Sequence, residues 1–245
     1  FDLRWRLAFD HRLTLSLLKL LRAAIETHYR RLAREAGLSS PKSGSVTVIQ
    51  RFGSDLRLNV HFHVLYLDGA YGLDAAGHRR FFEAPAPSPE EVQKILEQVI
   101  RRAAAKLHDW QEQHEDTGDE EQLALAQTYA TSASARGVDT HAPDDTPDPA
   151  DERIVLLPTR RKARIGAWDL DAEVAVKAHE RDRLEHLCRY LLRPPIALDR
   201  LTLIADDLVC IELKRPRSDG TTHVTMSART FLGRLASLVP KPKSN

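Results

Sequence analysis

The stretch SVTVIQRFGSDLRLNVHFHVLYLDG, residues 45–69, determines how the rest of the chain is interpreted. It contains two runs rich in β-branched and apolar residues, 45–52 and 58–69, separated by the short turn GSDLR. Runs of this composition that are bounded by Gly, Ser and Asp predict β-strands. We therefore predict an antiparallel hairpin in which each strand alternates its side chains between two faces.

Helices and further strands are predicted on both sides of this hairpin. Apolar residues recur at helical spacing in four segments, 10–36, 88–110, 179–192 and 229–239. The second segment opens with Ser88, Pro89 and Glu91, which form a capping-box signature. Further strands are predicted over 152–158 and in three runs between 201 and 228. The numbers of predicted helices and strands favour an α+β fold, with a mostly antiparallel sheet of about five strands and helices packed on it.

An acidic segment divides the 245 residues into two halves. From Asp109 to Glu152 there are thirteen acidic residues and one basic residue, Arg136, among several Gly and Pro. Such a composition predicts disorder. We expect the hairpin half of a catalytic domain over 1–111, an acidic, disordered insert over 112–152, and the second half of the domain over 153–245.

The composition also excludes several classes of protein. The apolar runs are far shorter than the roughly 20 residues that cross a bilayer, and the N-terminal FDLRWRLAFD lacks the apolar centre of a signal peptide. The two cysteines, Cys188 and Cys210, form no CxxC pair, which argues against a disulfide framework or a cysteine zinc site. We expect a cytoplasmic protein with no membrane partner.

The hairpin carries a candidate metal site. His61 and His63 are two residues apart on one predicted strand, so both imidazoles project from the same face, while Phe62 points to the other. In a tight hairpin register Gln50 lies opposite His61 or His63, with Cβ atoms roughly 5 Å apart. Two imidazoles and an amide oxygen suit Mg²⁺ or Mn²⁺ and leave positions open for phosphate oxygens. A shift of one residue would turn Gln50 away.

Tyr190 is a candidate nucleophile near the end of the third predicted helix. Arg189 precedes it and Arg193 follows one turn later, an arrangement typical of a phosphate-binding position. A phenolate stabilised by these cations would attack phosphorus. The alternative interpretation is an amphipathic tyrosine that seals the helix against the core.

Two segments, VTVIQRFGSDLRLNVHFHVLYLDGAY and CRYLLRPPIALDRL, resemble the hallmark motifs of the HUH-superfamily rolling-circle transposases of bacterial insertion sequences. The resemblance extends over about residues 1–240. It implies that His61 and His63 bind the divalent cation and that Tyr190 is the nucleophile, which forms a 5′-phosphotyrosine and frees a 3′-hydroxyl. It also implies a single-stranded DNA substrate at transposon ends. HUH denotes histidine, hydrophobic residue, histidine.

The sequence departs from this family in two ways. Many members carry two tyrosines one helical turn apart, whereas here His186 occupies the position one turn before Tyr190. A second cleavage would then need the freed 3′-hydroxyl, a second subunit of a homodimer, or another residue. The family's N-terminal cysteine-rich zinc module does not precede Phe1, so we expect this chain to be a piece of a longer protein.

Several other residues are weaker candidates. We expect Arg160, Arg161, Lys162 and Arg164 to contact DNA phosphates. Tyr66 is expected in the core, Tyr71 near the DNA, and Tyr129 in the acidic insert. Asp68 is a candidate for a water-mediated metal contact or for capping of the turn, the latter being favoured.

Three other functions remain open at this stage. A replication initiator or relaxase of the same superfamily would use the same chemistry. A zinc hydrolase also uses HxH on a strand, but needs further ligand strands in a longer repeat. The third alternative is a non-catalytic DNA-binding remnant of a transposase.

Overall fold

The computed structural model describes residues 3–114, 161–217 and 219–240. Five α-helices are found in these residues: α1 Leu3–Phe9, α2 His11–Glu35, α3 Pro89–His114, α4 Arg181–Leu191 and α5 Ala228–Leu238. The same residues contain ten strands: β1 Ser39–Lys42, β2 Ser45–Phe52, β3 Leu58–Tyr66, β4 Gly69–Leu73, β5 Arg79–Glu83, β6 Lys162–Ile165, β7 Trp168–Asp171, β8 Leu201–Ala205, β9 Leu208–Glu212 and β10 His223–Ser227. The predicted α+β class is confirmed.

The strands of the described residues are divided among four antiparallel sheets, where the sequence predicts a sheet of about five strands. β2 pairs with β3, β6 pairs with β7, and two three-stranded sheets have the orders β1-β4-β5 and β10-β9-β8. The chain leaves β3 through a turn that ends at Gly69, and a Cβ there would lie 1.9 Å from the Phe82 carbonyl oxygen. A residue with a side chain would clash at this position, and β4 beyond it pairs with β1 and β5 rather than with β3.

The first predicted helix, 10–36, agrees with α2, but α1 was not predicted. Asp10 separates the two helices, and its Oδ1 accepts hydrogen bonds from Arg12 N and Leu13 N at 2.7 and 3.2 Å. Its Oδ2 accepts the indole N–H of Trp110 at 2.8 Å. One carboxylate thus caps α2 and ties it to the far end of α3.

The predicted capping box at the start of α3 is confirmed. Ser88 Oγ accepts Glu91 N at 3.3 Å, and the Glu91 carboxylate accepts Ser88 N at 2.9 Å. These reciprocal bonds satisfy two backbone groups that a helix start leaves without intrahelical partners.

The main core lies on one face of the β2–β3 hairpin. Leu58 and Val60 of β3 are buried there beside Leu17 and Ile211, and Phe62 packs against the same cluster. The intervening residues of β3, His61 and His63, therefore project from the opposite face. The core thus fixes which way the candidate metal ligands point.

Two expected features fall outside the described residues. The acidic insert begins within α3, which extends to His114, but the rest of the segment and the predicted strand over 152–158 lie in the undescribed part. The proposed domain boundaries therefore stay a prediction. In the described residues, no helix combines the length and the apolar character needed to span a membrane.

Candidate active site

The register of the β2–β3 hairpin brings three potential metal ligands to one face. Gln50 pairs directly with His61, and Val48 pairs with His63. Directly paired residues of antiparallel strands share a face, so Gln50, His61 and His63 lie side by side. Gln50 lies opposite His61, one of the two positions that the sequence predicts. The strands are not shifted by the one residue that would have turned Gln50 to the other face.

The two imidazoles approach each other closely. Their ring centroids are 4.9 Å apart and their planes are inclined at 78°. His61 Nδ1 lies 2.8 Å from the Asn59 carbonyl oxygen, which only accepts hydrogen bonds, so Nδ1 carries the proton in this arrangement. The neutral ring then has its lone pair on Nε2, the arrangement usual for a histidine that binds a metal.

Gln50 is almost completely buried, with 3% of its surface exposed. Its Nε2 donates to the Leu191 carbonyl oxygen at 2.9 Å, which fixes the orientation of the amide. Among the described residues its Oε1 atom is buried and has no hydrogen-bond partner. A buried acceptor in this state costs about 1–3 kcal/mol, so the site suits an additional donor or a cation.

The hydrogen bond to Leu191 also brings the tyrosine helix to this face. Leu187 and Leu191 are the buried residues of α4, and Tyr190 is half-buried at the edge of that apolar stripe. The helix ends immediately afterwards, where Leu192 N donates to Cys188 O at 3.1 Å and Pro194 prevents continuation. The last turn of α4 therefore meets β2 at the position opposite His61.

Two cations lie against the Tyr190 ring. The Arg193 guanidinium carbon is 4.3 Å from the ring centroid and Lys214 Nζ is 5.2 Å from it. Cation–π contacts of this kind contribute about 0.5–1 kcal/mol each at exposed sites. They place two positive charges close to the tyrosine ring. Sequence analysis identified Arg193 but missed Lys214, although the basic run KRPR at 214–217 was a usable signal.

Comparison with known protein families identifies the family of the chain. Residues 44–245 match the profile of a family described as "Putative transposase". The chain belongs to this transposase family. The match includes the β2–β3 hairpin, α4 and the strands that follow. No curated protein and no solved structure matches the chain significantly.

The side chains that could hold a cation on this face of the transposase are two imidazoles and an amide. Across residues 3–114, 161–217 and 219–240, no group of three or more His, Cys, Asp or Glu side chains is arranged to hold a metal ion. Gln50 lies on the same face as His61 and His63, so its amide oxygen could serve as a third donor beside the two imidazoles. A set of three donors fits an ion that keeps several positions for water or phosphate, as Mg²⁺ does.

The other predicted DNA contacts are placed differently. Arg189 is exposed and forms an ion pair with Glu185 within α4, at 2.7 Å. Lys162 and Arg164 lie on β6, which packs on α3, and Arg161 just before them is buried. Arg160 lies outside the described residues. The role of all five residues as DNA contacts stays a prediction.

Lys162 and Arg164 have carboxylate partners. Lys162 Nζ is 2.9 Å from Asp171 and 3.2 Å from Glu173, and Arg164 Nε is 2.6 Å from Asp169. Burial lowers the pKa of Lys162, but the hydrogen bonds and charges of these two carboxylates raise it by more, so the net shift is upward.

Asp68 and the other tyrosines take structural positions. The Tyr29 hydroxyl donates to Asp68 Oδ1 at 3.1 Å, and burial together with the Asp68 charge raises the pKa of Tyr29. Tyr66 stacks on Tyr29 and donates to the Arg22 carbonyl oxygen at 3.1 Å, and burial raises its pKa as well. Tyr71 is half exposed beside Phe81. Tyr129 lies outside the described residues.

A buried carboxylate that sequence analysis missed anchors the hairpin turn. Asp55 is 1% exposed and contacts Arg57 at 2.5 Å, Arg217 at 2.7 Å and Arg234 at 4.0 Å. Burial lowers the pKa of Arg234, and Asp55 opposes this shift. These contacts tie the turn before β3 to the loop after β9 and to α5. They anchor the turn of the hairpin that carries the candidate ligands.

Proposed function

We propose that this transposase is a metal-dependent single-strand DNA endonuclease and strand transferase of the HUH type, which acts in rolling-circle transposition. The observation that carries the proposal is the hydrogen bond from Gln50 Nε2 to the Leu191 carbonyl oxygen. It joins the strand pair that bears the two histidines to the helix turn that bears Tyr190. The family match over residues 44–245 supports a transposase rather than a replication initiator or relaxase of the same superfamily.

His61, His63 and Gln50 would hold a divalent cation, Mg²⁺ or Mn²⁺. A bound cation of this kind supplies Lewis-acid polarisation of a phosphate oxygen. The contribution of the chain is to fix the ligands in advance. The Asn59 carbonyl oxygen orients His61, and the Leu191 carbonyl oxygen orients Gln50.

Tyr190 would act as the nucleophile on the scissile phosphodiester of single-stranded DNA at a transposon end. A bond forms between its phenolic oxygen and phosphorus, and the bond from phosphorus to the 3′-oxygen breaks. The phenol releases its proton to solvent, and the 3′-oxygen takes one up. The 5′ end stays linked to the tyrosine as a phosphodiester, so religation needs no nucleotide cofactor.

Arg193 would stabilise the negative charge of this reaction. Its guanidinium already lies against the Tyr190 ring, 4.3 Å from the centroid, and a planar guanidinium binds phosphate oxygens well. Arg189 would contribute less, because it is exposed and paired with Glu185. With one tyrosine in the site, a second cleavage would use the freed 3′-hydroxyl or the tyrosine of a second copy in a homodimer.

The test is covalent trapping of a labelled single-stranded oligonucleotide in the presence of Mn²⁺. We expect a protein–DNA adduct that survives denaturing electrophoresis, and its loss in Tyr190→Phe. Tyr71→Phe is the matched control, because Tyr71 is half exposed and lies in a different sheet, and it should retain the adduct. His61→Ala should abolish cleavage while circular dichroism stays unchanged.

Two outcomes would contradict the proposal. An adduct that persists in Tyr190→Phe would assign the nucleophile elsewhere. A folded wild-type protein that binds single-stranded transposon ends without forming an adduct would favour the non-catalytic DNA-binding alternative.

A further inference from the structure

A shallow cleft opens beside Tyr190. Its walls come from the end of β2 and the following turn, from the segment after α4, and from the loop after β9. The residues that line it are Phe52, Ser54, Arg193, Pro194, Pro195, Ala197, Arg200 and Lys214. Three of these side chains are cationic, and none of the lining residues is acidic.

The cleft is adjacent to Tyr190, which does not itself line it. Arg193 and Lys214 line the cleft and also lie against the Tyr190 ring, at 4.3 and 5.2 Å. Gln50, His61 and His63 do not line it. A ligand in the cleft would therefore lie next to the Tyr190 ring without contacting the candidate metal ligands.

The third cation is held in place by the backbone. Arg200 Nε donates to the Glu212 carbonyl oxygen at 2.7 Å, and its Nη2 donates to the Ser54 carbonyl oxygen at 3.4 Å. A guanidinium fixed in this way loses little further side-chain entropy when it contacts an anion. Directly after Ser54, three more guanidinium groups surround the single carboxylate of Asp55. This end of the molecule is thus rich in positive charge.

The remaining walls are flat and apolar. Phe52 is buried beneath the cleft, and the rings of Pro194 and Pro195 are exposed or half-buried at its edge. Rigid apolar surfaces beside fixed cations suit a ligand that combines phosphates with flat rings. Single-stranded DNA has this chemistry, and proteins bind it by combining basic grooves with stacking surfaces.

We propose that this cleft binds a phosphate of the DNA strand adjacent to the scissile one, with Lys214 and Arg200 as its contacts. The choice of ligand rests on the proposed function. The cleft holds the strand against Tyr190 independently of the metal, so that the scissile phosphate is positioned before the cation acts on it.

The experiment measures binding of a fluorescently labelled single-stranded oligonucleotide to the full chain by anisotropy, in EDTA, over a range of salt concentrations. Lys214→Gln should weaken binding by about five- to tenfold and reduce the salt slope by about 0.7, the value for one lost phosphate contact on a single strand. The matched control is Arg80→Gln, an exposed arginine of β5 in a different sheet, which should bind as the wild type does. Melting curves show whether each variant is folded.

Lys214 is exposed, so we expect its substitution to leave the fold intact, whereas Arg200 also ties two backbone segments together. If Arg200→Gln unfolds the protein, the Lys214→Gln result decides. Wild-type affinity and salt slope in Lys214→Gln would overturn the proposal. If Lys214→Gln weakens DNA binding but no phosphotyrosine forms with Mn²⁺, the proposal that the cleft binds DNA is supported and the catalytic proposal is wrong. If the wild type forms the adduct and Lys214→Gln binds DNA as the wild type does, only the proposal that the cleft binds DNA is wrong.

Discussion

The β2–β3 and β6–β7 hairpins both carry polar side chains on paired antiparallel strands, but these side chains differ in burial and in their partners. On β2–β3 the amide of Gln50 is buried directly opposite His61, and among the described residues its oxygen has no hydrogen-bond partner. On β6–β7 each cation lies directly opposite a carboxylate, Lys162 opposite Asp171 and Arg164 opposite Asp169.

By this difference β2–β3 is a candidate binding site, whereas β6–β7 is an ordinary solvated surface. Burying a polar group without full hydrogen bonding costs free energy, so the Gln50 oxygen is available to a donor or a cation. Exposed cations that face carboxylates are stable without any ligand. A basic run in a sequence therefore does not by itself mark a nucleic-acid surface, because strand register determines which charges are already matched.

The largest effect is expected at the turn of the β2–β3 hairpin. Asp55→Asn removes the buried charge that faces Arg57, Arg217 and Arg234, and leaves three guanidinium groups close together. We expect the free energy of unfolding to fall by about 3 kcal/mol, as is usual when one partner of a buried ion pair is lost. Chemical denaturation followed by circular dichroism measures it. A loss no greater than for an exposed pair would show that the turn does not anchor the hairpin.

A smaller effect is expected at Gln50. Gln50→Leu removes the amide oxygen that would bind the cation, so the dissociation constant for Mn²⁺ should rise about tenfold or more, measured by calorimetry. Without metal the stability should change little, because the variant loses the bond to Leu191 but also loses a buried, unsatisfied acceptor. Thr47→Val is the control, since Thr47 lies on the other face of β2. Unchanged Mn²⁺ affinity in Gln50→Leu would remove this residue from the ligand set.

Local patterns predicted much of the fold. The bounds of β2, the hairpin, the position of Gln50 opposite one of the two histidines and the capping box at Ser88 follow from residue alternation and from helix-start chemistry, which act over a few residues. The division into separate sheets could not be predicted in this way, since it depends on pairings between strands far apart in the sequence, such as β1 with β4.

The candidate site was predicted only in part, for the same reason. His61, His63 and Tyr190 are marked by motifs, whereas Lys214 and Arg200 reach the cleft beside Tyr190 from later parts of the chain. Asp55 is one acidic residue in a five-residue turn, and nothing nearby in the sequence shows that Arg217 and Arg234 converge on it. Long-range contacts of this kind need the fold itself.

The smallest effect is expected on the β6–β7 hairpin, where Arg164→Gln breaks the exposed ion pair with Asp169. Exposed pairs contribute little, so the melting temperature should not shift measurably, and affinity for single-stranded DNA should stay within about twofold of the wild type. The measurement is the anisotropy titration used for Lys214→Gln, at equal salt. If Arg164→Gln weakened binding as much as Lys214→Gln does, the β6–β7 hairpin would contact DNA despite its matched charges, and the contrast between the two hairpins would no longer hold.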